Sequence, residues 1–274
     1  MPDSRGNSKR AAVVVSVEED DRISALPDGV LQLLLSSLPS DEAVQTCVLA
    51  RRWRHLWKST PALRITRGGG RDWTAWTLNN FVNHLLLLRG GSPADECEIS
   101  CDEFHVDDDD DEVFRFVNLW IRHVFSFCQA GAKNLELTSD YDAFIFRTDC
   151  KLFPIFSKLK TLLLNEWCVA ADFGALIFFL QNSPVLEKLT LQLEHYERKQ
   201  PVVEAGDSYN PTEHSLVSKQ LKVVEIKCRK ENELTEQISN ILRIHGVPPE
   251  QIEIQESLLP SETSSFELDR DSDS

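Results

Sequence analysis

Val30, Leu31, Leu34, Leu35 and Leu38 recur at helical spacing and predict a first helix running from about Pro27 to Pro39. A proline in the first helical position gives up no hydrogen bond, and Pro39 cannot continue the helix, so both ends are marked. Ser40 is expected to cap a second helix, with Asp41 and Glu42 placed where the helix dipole favours negative charge and Val44, Cys47 and Val48 as its apolar stripe. Trp53, Leu56 and Trp57, three and four residues apart, predict a third helix, and Arg51, Arg52, Arg54 and Lys58 surround its aromatic face with positive charge. These three helices fill residues 21–65, which is too little chain for an independent core. The segment is therefore expected to lean on a partner.

Beyond it the pattern changes. Arg67-Gly68-Gly69-Gly70-Arg71 lacks the Lys-Ser/Thr pair of a phosphate loop and reads as a hinge. Trp73, Trp76, Leu78, Phe81, Val82, Leu85 and Leu86 then make an apolar helix, with Gly90 and Gly91 as its C-cap. Short strand-like pieces follow: 97–101, 133–137, 160–164, 187–191 and 221–226. Leu135, Leu162 and Leu189 fall 27 residues apart in three of them, and Leu-x-x-Leu-x-Leu occurs at Leu159/Leu162/Leu164 and Leu186/Leu189/Leu191. Five strands are predicted, and a last one at 251–255 after Pro248-Pro249. Helical spacing reappears between strands, at Val113, Phe116, Val117, Trp120, Ile121, Val124 and Phe125, and at Phe173, Leu176, Ile177 and Leu180. A strand and a helix per unit, neither able to bury its apolar face alone, predicts stacked units: an α/β fold with a parallel sheet. The open sheet face and the loops at the strand ends would form its binding surface.

Charge narrows the function. The 274-residue chain carries a net charge of -15, which opposes binding to a nucleic-acid backbone. Residues 21–65 run against that trend, with six basic and four acidic side chains, and suit an acidic partner. Seven cysteines without a dense framework fit a reducing compartment, cytoplasmic or nuclear. No stretch approaches eighteen apolar residues, so no membrane span is expected. The apolar run 11–17 is too short for a signal peptide and ends in acidic residues, so 1–20 reads as a disordered leader.

Chemistry finds little support. Cys97, Cys101 and His105 are spaced by four, but Ile99 would share their side of a strand and no fourth ligand completes a zinc site. Residues 107–112 lack the alternation and glycine of a calcium loop. Neither a Gly-x-Ser-x-Gly elbow nor a His-Glu-x-x-His pair occurs. The expectation is no enzyme, no cofactor and no metal.

The ordered run Asp-Arg-Ile-Ser, Leu-Pro-Asp, a leucine run, Leu-Pro and Val-Leu-x-x-Arg-Trp-Arg-x-Leu-Trp resembles the F-box of plant F-box proteins. The stretches VNLWIRHVF and LKTLLLNEWCVAADFGALIFFLQNSPVLEKLTL resemble plant F-box proteins with leucine-rich repeats, and residues 221–254 are similar to their FBD-like C-terminal region. Gly29 and Ser37 depart from the usual F-box pattern, and the array is shorter than is common, with repeats missing between about 140 and 159.

The resemblance implies an F-box at 21–65, a linker and helix at 66–95, leucine-rich repeats at 96–195, a loop at 196–218, an FBD-like unit at 219–255 and an acidic disordered tail at 256–274. It further implies a substrate-recognition subunit of a Skp-cullin-F-box ubiquitin ligase: the F-box binds a Skp-type adaptor and through it a cullin, while the repeats hold a target protein. The alternative is a shortened decoy that binds adaptor and presents no substrate. Leu26, Pro27, Val30, Leu31, Leu34, Leu38, Val48, Trp53, Leu56 and Trp57 are the implied adaptor-binding or helix-locking positions.

Overall fold

The computed structural model describes residues 22–23, 25–66, 74–100, 123–125, 131–139, 155–169, 173–193 and 219–257. The glycine hinge, residues 101–122, 140–154 and 194–218, the leader and the tail from residue 258 on lie outside the described residues, as do Cys101 and His105.

Helix α1 (Asp28–Ser36) begins directly after Pro27, and α2 (Ser40–Gln45) directly after Pro39. Ser40 does not cap α2; its Oγ instead accepts from the Arg64 backbone N–H at 3.1 Å. A short 3-10 turn (Thr46–Val48) follows. The third helical segment is also 3-10 rather than α, over Arg51–Ser59. With three residues per turn, Trp53 and Leu56 lie one above the other.

Strand β1 (Ala62–Ile65) comes next, where no strand was expected. Four residues are too few to show alternation, yet Leu63 and Ile65 are almost fully buried and pair in register with Cys97 and Ile99. The remaining strands are β2 (Glu96–Ser100), β3 (Asn134–Thr138), β4 (Thr161–Asn165), β5 (Lys188–Leu193), β6 (Val223–Cys228) and β7 (Ile252–Glu256). All seven are parallel and lie side by side in chain order. The chain is thus an α/β fold, with seven strands among the described residues rather than six.

The constant spacing of Leu135, Leu162 and Leu189 has a direct structural counterpart: the three are mutual register partners. At the start of each strand from β2 to β6 the chain repeats one contact. Asp95 N–H donates to Pro61 O at 2.7 Å, Lys133 to Asp95 O at 2.8 Å, Lys160 to Lys133 O at 2.7 Å, and Glu187 and Lys222 each to the preceding member at 2.8 Å. Side chains add to this edge. Glu187 sits between Lys160 and Lys222 at 2.7 and 2.6 Å, and their hydrogen bonds and charges hold its carboxyl down at about 2.

One face of the sheet packs on helices α3 (Ala75–Arg89), α4 (Gly174–Asn182) and α5 (Glu233–Ile244). Helix α3 buries Leu78, Val82, Leu85 and Leu86 and ends at Gly90 in the left-handed region (φ 60°), as the sequence pattern predicts. Trp76, expected in that apolar stripe, is 67% exposed. Helix α5 is fixed by reciprocal bonds between Asn232 and Thr235 and buries Leu234, Ile238 and Leu242. Val124 and Phe125 are helical and buried, and Phe125 meets Phe156 and Phe179 edge-on at 5.2 and 5.9 Å. Cys97 and Ile99 lie in the core together.

The core is continuous from Leu31, Trp53 and Trp57 to Ile238 and Leu242, so the N-terminal helices share it with the sheet. Arg89 closes the seam. Its buried guanidinium donates to Trp57 O at 3.2 Å, Thr60 Oγ1 at 2.9 Å and Thr60 O at 2.9 Å, tying α3 to the end of the 3-10 helix. Arg89→Ala is expected to leave Thr60 O without its buried donor, at about 1–3 kcal/mol, while Thr60 Oγ1 and Trp57 O keep their mutual bond at 3.0 Å, and a drop in the urea midpoint without a change in slope checks this.

Candidate docking surface

Helix α1 is apolar on more than one side. Leu31 and Leu35, four apart, are buried at 0% and 2% exposure, whereas Val30, Leu33 and Leu34, at offsets of three and four, are exposed at 41%, 63% and 52%. Two stripes therefore share one nine-residue helix. The inner stripe locks α1 to the protein's own core, and the outer stripe has no cover.

The turn after α2 extends the apolar surface with Val48 and Leu49, and Ile23 contributes from the segment before α1. Six of the eleven exposed large apolar residues among the described ones come from residues 23–49, a concentration that marks this end of the molecule.

Positive charge lies on the adjoining 3-10 helix. Arg52 is held by the Asp28 carboxylate, its Nε donating at 2.7 Å, which pins the helix to the start of α1. Arg51 and Arg54 are exposed, with no partner among the described residues. The Lys58 ammonium stacks over the Trp57 ring at 5.6 Å. An apolar stripe beside unpaired cations suits a partner with an apolar groove and acidic walls.

The structure divides the ten implied adaptor positions into three groups. Pro27, Val30, Leu34 and Val48 are exposed, and Leu26 and Leu38 are partly buried against the core. Leu31, Trp53, Leu56 and Trp57 are buried inside the chain, the tryptophans at 7% and 6% exposure. These four act as locks between helices in the free chain. Ile23, Leu33 and Leu49 were missed by the sequence reading, although the unbroken leucines 33–35 signal more apolar surface than one stripe can bury.

A second surface is the open face of the sheet. Side chains at alternate positions point there, and a cleft of about 410 Å³ is lined by residues from β1 to β5. Arg64 spans its upper end: Nε donates to Ser36 O at 2.8 Å, one terminal nitrogen meets Glu96 at 2.8 Å and the other pairs with Glu98. Lys188 pairs with Glu225 at 2.6 Å, and Thr161 bonds Asn134 at 2.6 Å. Glu136 stands in register between Glu98 and Leu163. Burial and then the Glu98 charge push its carboxyl above the usual range, against the pull of Arg64 and Lys227.

Among the described residues no group of three metal-ligating side chains comes together, and no helix is long and apolar enough to cross a membrane. Cys168 is buried, which pushes its thiol up and away from the reactive thiolate.

No family model matches the chain. Curated proteins do. An F-box/LRR-repeat protein of Arabidopsis thaliana is 54% identical over 156 residues, 55% of this chain and 29% of that protein. A second F-box/LRR-repeat protein of the same plant is 28% identical over 223 residues, 68% of this chain and 44% of that one. An F-box/FBD/LRR-repeat protein, also from Arabidopsis, is 54% identical over 67 residues, 24% of this chain and 14% of its own. The chain spans less than half the length of each of these relatives.

Proposed function

We propose, from the relationship of this chain to plant F-box/LRR-repeat and F-box/FBD/LRR-repeat proteins, that it is a substrate-recognition subunit of a Skp-cullin-F-box ubiquitin ligase. On this reading residues 21–65 are the F-box and the strand-helix units are a leucine-rich-repeat solenoid. The outer stripe of α1, with Val48 and Leu49, enters an apolar groove of a Skp-type adaptor, and Arg51 and Arg54 face its acidic rim.

The observation that carries this is the uncovered stripe Val30, Leu33 and Leu34, which a nine-residue helix does not need for its own packing. The shared core supports it further, because a rigid join between F-box and sheet would hold a bound target at a fixed place relative to the adaptor. No reaction is assigned to this chain; ubiquitin transfer belongs to the assembled partners, in cytosol or nucleus.

The test is reconstitution. Purified chain mixed with purified Skp-type adaptor is expected to co-elute as a one-to-one complex that recruits a cullin and supports ubiquitination of a co-bound protein. Separate elution at micromolar concentration would contradict the docking assignment. Assembly without any modified target would favour the decoy reading instead.

A further inference from the structure

We propose that the cleft on the open face of the sheet takes a basic side chain, lysine or arginine, of the target protein, laid across Glu136 and Leu163. This rests on the receptor reading above and names the chemistry that the receptor recognises.

The charges in the cleft lead to this occupant. Its lining brings together Arg64, Glu96, Glu98, Glu136, Leu163 and Lys188 with neutral polar neighbours. Both cations are already engaged: Arg64 by Glu96 at 2.8 Å and by Glu98, and Lys188 by Glu225 at 2.6 Å. Glu136 is left without a hydrogen-bond or ion-pair partner among the described residues, half-buried, with Glu98 as its register partner on one side. Parallel neighbours stand about 4.8 Å apart, so the two carboxylates repel at close range. A cation set beside them turns that repulsion into attraction; Lys227, whose charge also reaches Glu136, lies outside the cleft lining.

The shape selects a long side chain over an ion. Three metal-ligating groups do not converge among the described residues. On the other flank of Glu136 stands Leu163, and Thr190 follows it in the same row. Lysine and arginine need this arrangement, an aliphatic wall for the stem beside a carboxylate for the head. A volume of about 410 Å³ accommodates the side chain together with adjoining backbone. The extra burial that follows would strengthen the pairing, and burial with the Glu98 charge already pushes the Glu136 carboxyl upward.

The full chain, labelled with carbon-13 in its glutamate carboxyls, is titrated with the blocked pentapeptide Ala-Ala-Arg-Ala-Ala, its lysine counterpart, its neutral citrulline counterpart and free spermidine. The arginine and lysine peptides are expected to shift the Glu136 carboxyl resonance saturably and to lower its titration midpoint by about one pH unit. Fluorescence anisotropy of labelled peptide is expected to show binding at least about tenfold weaker in Glu136→Gln. That variant should keep the wild-type melting temperature or exceed it, since it removes a like charge. Equal binding of the citrulline peptide, a loss below about threefold in Glu136→Gln, or a response to spermidine and not to the peptides would each overturn the proposal. Adaptor binding measured in the same preparations separates the two readings: failure of the peptides with adaptor binding intact removes the cleft assignment alone.

Discussion

Trp53→Ala is expected to destabilise the free chain by about 3–5 kcal/mol, the range for removing a large aromatic side chain from a packed core. Trp53 is 7% exposed and belongs to the core that also holds Leu31, Leu56, Trp57 and Leu63. Truncation would open a cavity under the 3-10 helix, loosen the α1 contact and expose the seam to β1. Thermal unfolding of the unbound protein should show the whole effect. Any fall in adaptor affinity would then follow from lost helix positions, and a stability change below about 1 kcal/mol would mean that this tryptophan is not a lock.

Leu34→Glu combined with Val48→Glu is expected to do the reverse. Both wild-type side chains are exposed, at 52% and 83%, so carboxylates there meet water in the free chain and the fold should hold within about 0.5 kcal/mol. Against an apolar groove the same carboxylates would be desolvated without partners, and facing an acidic adaptor they would also repel. Each lost anchor is worth about 2 kcal/mol or more at an interface, so the pair, at about 4 kcal/mol, should weaken adaptor binding by about a thousandfold. The two variants therefore separate folding from docking inside one short segment.

Much of the sheet was readable because register leaves a trace in sequence. Leu135, Leu162 and Leu189 recur at one interval because each must land beside the last, and Gly90 marks the end of α3 because it supplies the left-handed turn there. Strand β1 escaped because Ala62–Ile65 is too brief for a period to show and follows a helix whose composition dominates the window. The leucine run of α1 showed that the helix is apolar, but which stripe its own core consumes depends on where the sheet lies. For the same reason the sequence leaves Trp53 and Trp57 as adaptor-binding or helix-locking, and in space they are internal. Glu98 and Glu136 sit 38 residues apart and become neighbours through the irregular interval between β2 and β3, which no repeat predicts.

The most direct test of the account is the affinity of the purified chain for a Skp-type adaptor, measured by calorimetry for wild type beside Leu34→Glu/Val48→Glu, with the melting temperature of each recorded in the same buffer. Wild type is expected to bind, the double variant to bind about a thousandfold more weakly or not at all, and the two to melt together. Equal affinities, or a loss of affinity matched by a loss of stability, would contradict it.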